Sequence, residues 1–281
     1  MIQTFRELLN SGKEKLQEKQ KEDADFEALQ MLRGAADFKQ ADFFLNADEK
    51  VSQNIYDRYE KMLSQRISGR PLQYILGEWD FYKSTFSVGE GVLIPRPETE
   101  QLVEICVKEI RKKSYKTVYD LCAGSGCIGI SIAKECPEVQ VVMFELFDDA
   151  LQYTQKNLEA HKLKNAKVVK LDVLNDDVSS LPNVDLLVSN PPYIPCEEIK
   201  SLQSEVLREP HTALDGGEDG LVFYRAFEKI WLDKVNHNGF VAMECGEEQS
   251  DIIAYMFSEK LRTEQICDVF GVSRFVVGYK K

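Results

Sequence analysis

The chain has 281 residues, 43% hydrophobic and 29% charged, which is enough apolar material for a real core in two domains or in one large domain with an appendage. Its 47 acidic against 35 basic residues leave a net charge of -12, which disfavours a duplex nucleic-acid binder, whose contact face is usually basic. None of the seven cysteines forms a C-x-x-C pair and no run approaches eighteen apolar residues, so free thiols, no zinc site, no membrane span and a cytoplasmic location are expected.

Residues 1 to about 75 carry a helical period and no catalytic motif. Ile2, Phe5, Leu8 and Leu9 share one face, and the charged segment from Lys13 to Asp25 passes to Phe26, Leu29 and Leu32 before Gly34. Val51, Ile55, Tyr59 and Met62 repeat at helical spacing after Asn46, a candidate cap, and Gly69 with Pro71 closes that helix. This small all-α domain is suited to bind a partner or to cover an active site.

Pro71-Leu-Gln-Tyr-Ile-Leu-Gly77, followed by Trp79, Phe81, Phe86 and Val88 around Gly89-Glu90-Gly91, predicts a β-hairpin linker over 76–96. Its aromatics could line a ligand site or pack between domains. Pro97 suits the first position of a helix whose face is Leu102, Val103, Cys106 and Ile110.

From Thr117 strands alternate with helices, the pattern of a parallel α/β sheet. Strands are predicted at 117–121, 139–145, 166–172, 184–190 and 239–244, and helices near 126–135, 148–161, 222–235 and 247–260. The tail, Ile266–Val269 and Arg274–Tyr279 around Gly271, predicts a hairpin adding antiparallel edge strands.

After the first strand comes Asp120-Leu-Cys-Ala-Gly124-Ser-Gly126-Cys-Ile-Gly129, which contains G-x-G-x-x-G, and Glu145 ends the next strand 19 residues beyond Gly126. Glycines there let backbone amides and a helix N-terminus approach an adenosine-type ligand, while the strand-end carboxylate takes ribose hydroxyls. The pattern alone separates neither a nicotinamide cofactor from S-adenosylmethionine nor one chemistry from another. Asp172, at the end of the third strand, can accept from an adenine amino group.

The fourth strand runs into Val188-Ser-Asn-Pro-Pro-Tyr-Ile-Pro195, where two prolines force a stiff extended loop. The Asn190 carboxamide and the carbonyls of Asn190 and Pro191 form a slot that can accept hydrogen bonds from an NH2 group, with Tyr193 as a flat surface against the planar group carrying it. Ligands of open α/β sheets gather at the carboxyl ends of the strands, so all four strand ends are expected to converge on one crevice. A dehydrogenase has no need of an amino-group slot.

These residues resemble class I methyltransferases that use S-adenosylmethionine, and within them the peptide chain release factor N5-glutamine methyltransferases. The resemblance covers nearly the whole chain, including 71–77, Ile94-Pro-Arg-Pro-Glu-Thr-Glu100, Asp120 to Gly126, Asp149-Ala-Leu151, Asn190-Pro-Pro-Tyr193 and Glu209 to Gly217. Asn-Pro-Pro-Tyr is shared with adenine and guanine amino methyltransferases, whereas Ile-Pro-Arg-Pro-Glu-Thr-Glu decides the subfamily.

The resemblance implies an α/β fold with a Rossmann-like, seven-stranded methyltransferase domain at 97–281, preceded by the hairpin linker and an N-terminal helical substrate-recognition domain at 1–75. It implies that Cys122, Ala123, Gly124, Ser125 and Gly126, above Asp120, line the amino-acid and ribose end of the cofactor, that Glu145 binds the ribose, and that Asp172 and Val173 flank adenine. Asn190, Pro191, Pro192 and Tyr193 would hold the substrate glutamine, with Asn190 bordering the cofactor and Phe86 near the methyl group. The implied partner is a bacterial-type release factor, with neither membrane nor direct nucleic-acid contact and with a monomer as the expected state. Two departures bear on cofactor affinity: Cys122 replaces the usual first loop glycine, and Glu145 the usual aspartate.

A carboxamide nitrogen is a weak nucleophile because its lone pair is delocalised. Acceptors at Asn190 and Pro191 would favour the pyramidal nitrogen of the transition state over the planar ground state, and no general base is required. His211 is therefore not expected to be a base, Glu209 and Pro210 should shape a wall, and His161 and His237 should lie at the surface. Competing readings are an amino methyltransferase acting on nucleic acid, a nicotinamide oxidoreductase and a cofactor-fold binding module without activity.

Overall fold

A computed structural model of the chain describes residues 3–19, 23–39 and 41–281; Ile2 lies outside them. The chain separates into two compact units, one of residues up to Glu78 with Ser204–Arg208, the other of Trp79–Gln203 with Glu209–Lys281.

The first unit holds α1 (Phe5–Gln17), α2 (Ala24–Ala36), α3 (Asp42–Asn46), α4 (Gln53–Ile67) and α5 (Leu72–Leu76). Thr4 and Glu7 cap α1 reciprocally, each side chain accepting from the other's amide, which satisfies two amides that a helix start leaves open. The cap of α4 is Ser52, which accepts from the Ile55 amide, and not Asn46, which ends α3. Arg66 is buried in α4 and donates to Glu27 at 2.6 and 2.8 Å and to Glu205 at 2.7 Å, the compensation that a buried guanidinium requires.

The second unit begins with a hairpin of β1 (Glu78–Phe81) and β2 (Ser84–Ser87), then α6 (Thr99–Lys113). Pro97 precedes α6 instead of opening it: the Thr99 and Glu100 amides turn back to the Arg96 and Pro97 carbonyls before the helix starts. The sheet that follows has seven strands, β3 (Thr117–Leu121), β4 (Gln140–Glu145), β5 (Ala166–Lys170), β6 (Val184–Ser189), β7 (Val235–Glu244), β8 (Leu261–Cys267) and β9 (Ser273–Lys280). They lie in the order β5-β4-β3-β6-β7-β9-β8, with β3 to β7 parallel and β9 antiparallel to both β7 and β8. The antiparallel edge predicted for the tail is therefore present. Connecting helices are α7 (Cys127–Glu135), α8 (Asp148–His161), α9 (Val222–Ala226) and α10 (Ser250–Phe257). The helix expected over 222–235 changes pitch, passing from α9 to a π turn at Phe227–Trp231 and a 3-10 turn at Leu232–Lys234.

Apolar side chains fill both sheet faces. Leu102, Val103, Cys106 and Ile110 of α6 pack with Ile128 and Ile132 of α7 on one face, and Tyr119, Phe144, Trp231 and Phe257 form the other. The chain leaves β3 for β4 on one side and later sets β6 on the other, with Leu121 opposite Ser189. Connections therefore diverge at the β3–β6 boundary, which opens a crevice at those strand ends.

Trp231 is fully buried against Phe144, and its indole N–H donates to the Val173 carbonyl at 2.9 Å. Trp231→Ala should cost about 3–5 kcal/mol, the range for emptying a large aromatic site, and should also strand that carbonyl. Urea denaturation read at the catalytic unit checks this, with a lower midpoint and little change in slope expected.

All seven cysteines are free thiols. Among the described residues, no helix is long and apolar enough to cross a membrane and no cluster of side chains is placed to hold a metal.

Candidate active site

The crevice holds a cavity of about 390 Å³ within the second unit, the size of a small-molecule site. Its floor is the loop after β3. Cys122 sits there at φ 59° and Gly124 at φ 58°, in the left-handed region, so the loop folds back under the start of α7. For Cys122 this conformation costs about 1–2 kcal/mol, a cost that glycine would not carry. The thiol is half-buried, and that burial, with the charge of Glu145 beside it, pushes its pKa well up, so it stays neutral. A Cβ on Gly124 would meet only Val92, at 4.0 Å, so the backbone faces open space toward the cavity.

Glu145, at the end of β4, organises this floor. One carboxylate oxygen accepts from the Gly124 amide at 2.8 Å, and the other from the amides of Leu146 and Phe147 at 2.9 and 3.0 Å. Burial raises its pKa, and the three amides oppose that rise. A carboxylate has about four acceptor sites, so one remains for a diol. Leu146 and Phe147 line the cavity while 36% and 43% exposed, which offers apolar surface to a flat ring. Asp172 and Val173 lie on the same wall; Asp172 is two residues past β5 and turns on itself to accept from the Leu174 amide and the Asn175 side chain.

Asn190 projects from the end of β6 beside this floor, and with Pro192 it lines the cavity. Its carboxamide N–H donates to Thr99 Oγ1 at 3.0 Å, and the Thr99 hydroxyl donates to Glu244 Oε2 at 2.7 Å. Burial pushes the Glu244 carboxyl up to about 7. Across the cavity, Arg96 donates to Glu209 Oε1, and Glu209 Oε2 accepts from the Ile94 amide at 3.0 Å. That pair forms a brace beside Pro210, which lines the wall as expected. His211 lines it too, exposed and 3.7 Å from Asp215.

Several expected site residues lie behind the wall. Asp120 is fully buried beneath the loop, where it accepts from the Gly129 amide; burial pushes its pKa up to about 8. Gly126 starts α7, with Thr154 and Ile130 packed where a side chain would be. Pro191 is buried, and Tyr193 is turned away, packed on the core with its ring beside Gly246. Its orientation is set by close backbone approach: a Cβ on Gly216 would sit 2.8 Å from Tyr193 Cα and one on Gly220 2.3 Å from the Tyr193 carbonyl oxygen, which also accepts from Gln249. The stacking face expected of Tyr193 is thus off the cavity wall.

Phe86 is also elsewhere. It is fully buried in the core against Phe81 and under the His161 ring, so it does not line the cavity, and His161 is half-buried where a surface position was expected. His237 is exposed.

Thr99, Glu244 and the Arg96–Glu209 pair are site residues that no local pattern in the sequence marks out for chemistry. Three of these four lie in the segments 94–100 and 209–217, whose motifs were visible; Glu244 had no local signal beyond a carboxylate at a strand end.

The lining carries the carboxylates of Glu145, Asp172 and Asp215, and its one arginine, Arg96, is paired with Glu209. Such a site suits a cationic ligand better than the diphosphate of a dinucleotide. The sequence matches the family models "PrmC N-terminal domain" over residues 7–77 and "Methyltransferase small domain" over 98–230. Release factor glutamine methyltransferases of Clostridium botulinum and Geobacter sulfurreducens are each 35% identical to it, covering 89% and 99% of this chain and 90% and 97% of their own. The chain belongs to the release factor glutamine methyltransferase family. Its fold is shared with more distant methyltransferases. The hMettl16 catalytic domain, solved with an RNA hairpin, aligns at TM-score 0.55 and 16% identity over 89% of this chain and 91% of that one. RsmC, a T. thermophilus 16S rRNA methyltransferase solved with AdoMet and guanosine, aligns at 0.51 and 18% over 73% of this chain and 50% of that one. In this chain, Arg96 of the segment 94–100 forms the brace with Glu209, and of the segment 190–193 Asn190 and Pro192 line the cavity.

Proposed function

We propose that this enzyme methylates the side-chain amide nitrogen (N5) of the glutamine in the Gly-Gly-Gln loop of peptide chain release factors, using S-adenosylmethionine, in the cytoplasm, and so acts on translation termination. The observation that carries this reading is the Asn190 carboxamide, held by its N–H so that its oxygen is left for the cavity.

The cavity fits the cofactor: an open glycine backbone, a strand-end carboxylate with remaining acceptor capacity and two exposed apolar side chains adjoin one another. When bound, S-adenosylmethionine supplies an electrophilic methyl group on a sulfonium. Glu145 would hold the ribose, Leu146, Phe147 and Val173 the adenine, and the 122–125 loop the amino-acid end.

Asn190 Oδ1 would accept from an N–H of the substrate amide; the Pro191 carbonyl, expected to take the second, belongs to a residue buried outside the cavity lining. As the nitrogen pyramidalises, that N–H becomes more acidic and the bond strengthens, so the slot stabilises the transition state more than the ground state. Fixing the amide against the cofactor supplies more, about 7 to 11 kcal/mol in well-positioned cases. The proton leaves to water after transfer, so His211 has no assigned role. The helical first unit would recognise the body of the release factor.

Incubation with methyl-labelled S-adenosylmethionine and purified release factor, followed by mass spectrometry, tests this. Label on the glutamine of the Gly-Gly-Gln loop is expected. Label only on nucleic acid would transfer the same slot to an aromatic amine.

A further inference from the structure

We infer that Thr99 and Glu244 are positioning residues for methyl transfer, forming a directed hydrogen-bond chain that forbids the flipped rotamer of the Asn190 carboxamide. The inference rests on the reading of Asn190 as the acceptor for the substrate amide.

A threonine hydroxyl has one proton and two lone pairs. An ionised Glu244 can only accept, so the Thr99 proton, 2.7 Å from it, is committed to Glu244. Toward Asn190, 3.0 Å away, Thr99 can then only accept. The NH2 end of the carboxamide satisfies that demand and the oxygen end does not, so Asn190 Oδ1 faces away from Thr99. Thr99 is 2% and Glu244 1% exposed, so water does not compete for the bond between them. Asn190 by itself has no such preference, because its two amide ends have nearly the same shape.

The chain has a polarity that protonation can reverse. A protonated Glu244 donates to Thr99, which frees the hydroxyl proton to bind Asn190 Oδ1 and so holds the amide with NH2 toward the substrate. The charged and titratable groups around Glu244 are Glu98 beside α6, Arg274 on β9, Tyr193 after β6, Cys127 at the start of α7 and the adjoining Cys245; Tyr224 donates to its backbone carbonyl, and hydrogen bonds from Thr99 and from the Asn190 side chain favour its charged form. Of these, Glu98 favours the protonated form and Arg274 opposes it, while burial is the largest effect and sets the carboxyl near 7.

The test uses the full chain with release factor as substrate. Thr99→Val keeps the shape and removes the hydroxyl; it should lower kcat about ten- to a hundredfold, with cofactor Kd by calorimetry within about twofold. Thr99→Ser restores the hydroxyl and should recover most of the rate. In Thr99→Val the Asn190 side-chain NH2 resonances should shift and exchange faster with solvent, a readout independent of turnover. In wild type, kcat should fall as pH drops through Glu244's titration, and Glu244→Gln should lose that acid limb. Wild-type kcat in Thr99→Val, equal losses in the valine and serine variants, or an unchanged acid limb in Glu244→Gln would each overturn the inference. Absence of wild-type transfer to release factor would instead reject the functional reading on which it rests.

Discussion

Asn190→Ala should lower kcat about a hundred- to a thousandfold, the cost of removing one preorganised polar contact to a transition state, while leaving the cofactor Kd nearly unchanged. The split follows from placement. Asn190 extends from β6, whereas Glu145 and the loop it anchors extend from β4 and β3. Truncation also removes the N–H that bonds Thr99, but the Thr99 hydroxyl keeps Glu244 as its acceptor, so no buried donor is stranded and the fold should survive. Single-turnover kinetics with saturating cofactor, alongside calorimetric titration, would separate the two effects. A variant that bound cofactor poorly and turned over normally once saturated would place Asn190 in the wrong role.

The complementary expectation concerns Glu145→Ala. Its carboxylate holds the amides of Gly124, Leu146 and Phe147, so the substitution removes the acceptor proposed for the ribose and also frees the loops on both sides. A hydrogen bond to a charged group is worth about 1.5–3 kcal/mol and one acceptor site is left for the ligand, so cofactor affinity should fall about ten- to a hundredfold. The melting temperature of the free enzyme should fall as well. The conservative Glu145→Asp is one methylene shorter, so it should keep the charge but lose reach to at least one amide. Its Kd should fall between wild type and alanine, because charge and reach both contribute.

Much of the catalytic fold was legible because period and punctuation agree locally. The strand predicted at 117–121 is β3 residue for residue, and the strand ends that carry Glu145 and Asn190 fall within one residue of prediction. Strand ends are the positions a parallel sheet directs to its ligand crevice, so Glu145 and Asn190 could be selected without knowledge of packing. Asp172 illustrates a limit of that rule: it lines the cavity but belongs to a turn beyond β5, with its carboxylate engaged locally.

What escaped was set by distant residues. Alternation in β2 places Phe86 on the inward face, yet only the arrival of α8 with His161 decides that this face is core and not cavity. Tyr193 is turned by glycines 216, 220 and 246, and nothing in the four residues around it reveals that. The Thr99–Glu244 bond spans 145 residues of sequence, and the Arg96–Glu209 bond 113. The first joins the opening residue of α6 to the last residue of β7 and the second joins two loops, so no local periodicity announces either pair.

The five residues from Ser204 to Arg208 belong to the helical unit although they lie deep within the catalytic sequence. Arg66 grips Glu205 inside that unit, and Glu209, the next carboxylate along, closes the brace with Arg96 at the cavity. The helical unit is therefore discontinuous in sequence. A fragment ending at Glu78 would be missing a counter-ion for its most buried cation, and a catalytic fragment beginning at Trp79 would carry five residues folded for a host it no longer has. A junction placed at residue 78 thus leaves part of the helical unit behind, and exchange of that unit between relatives has to move the strip along with the helices.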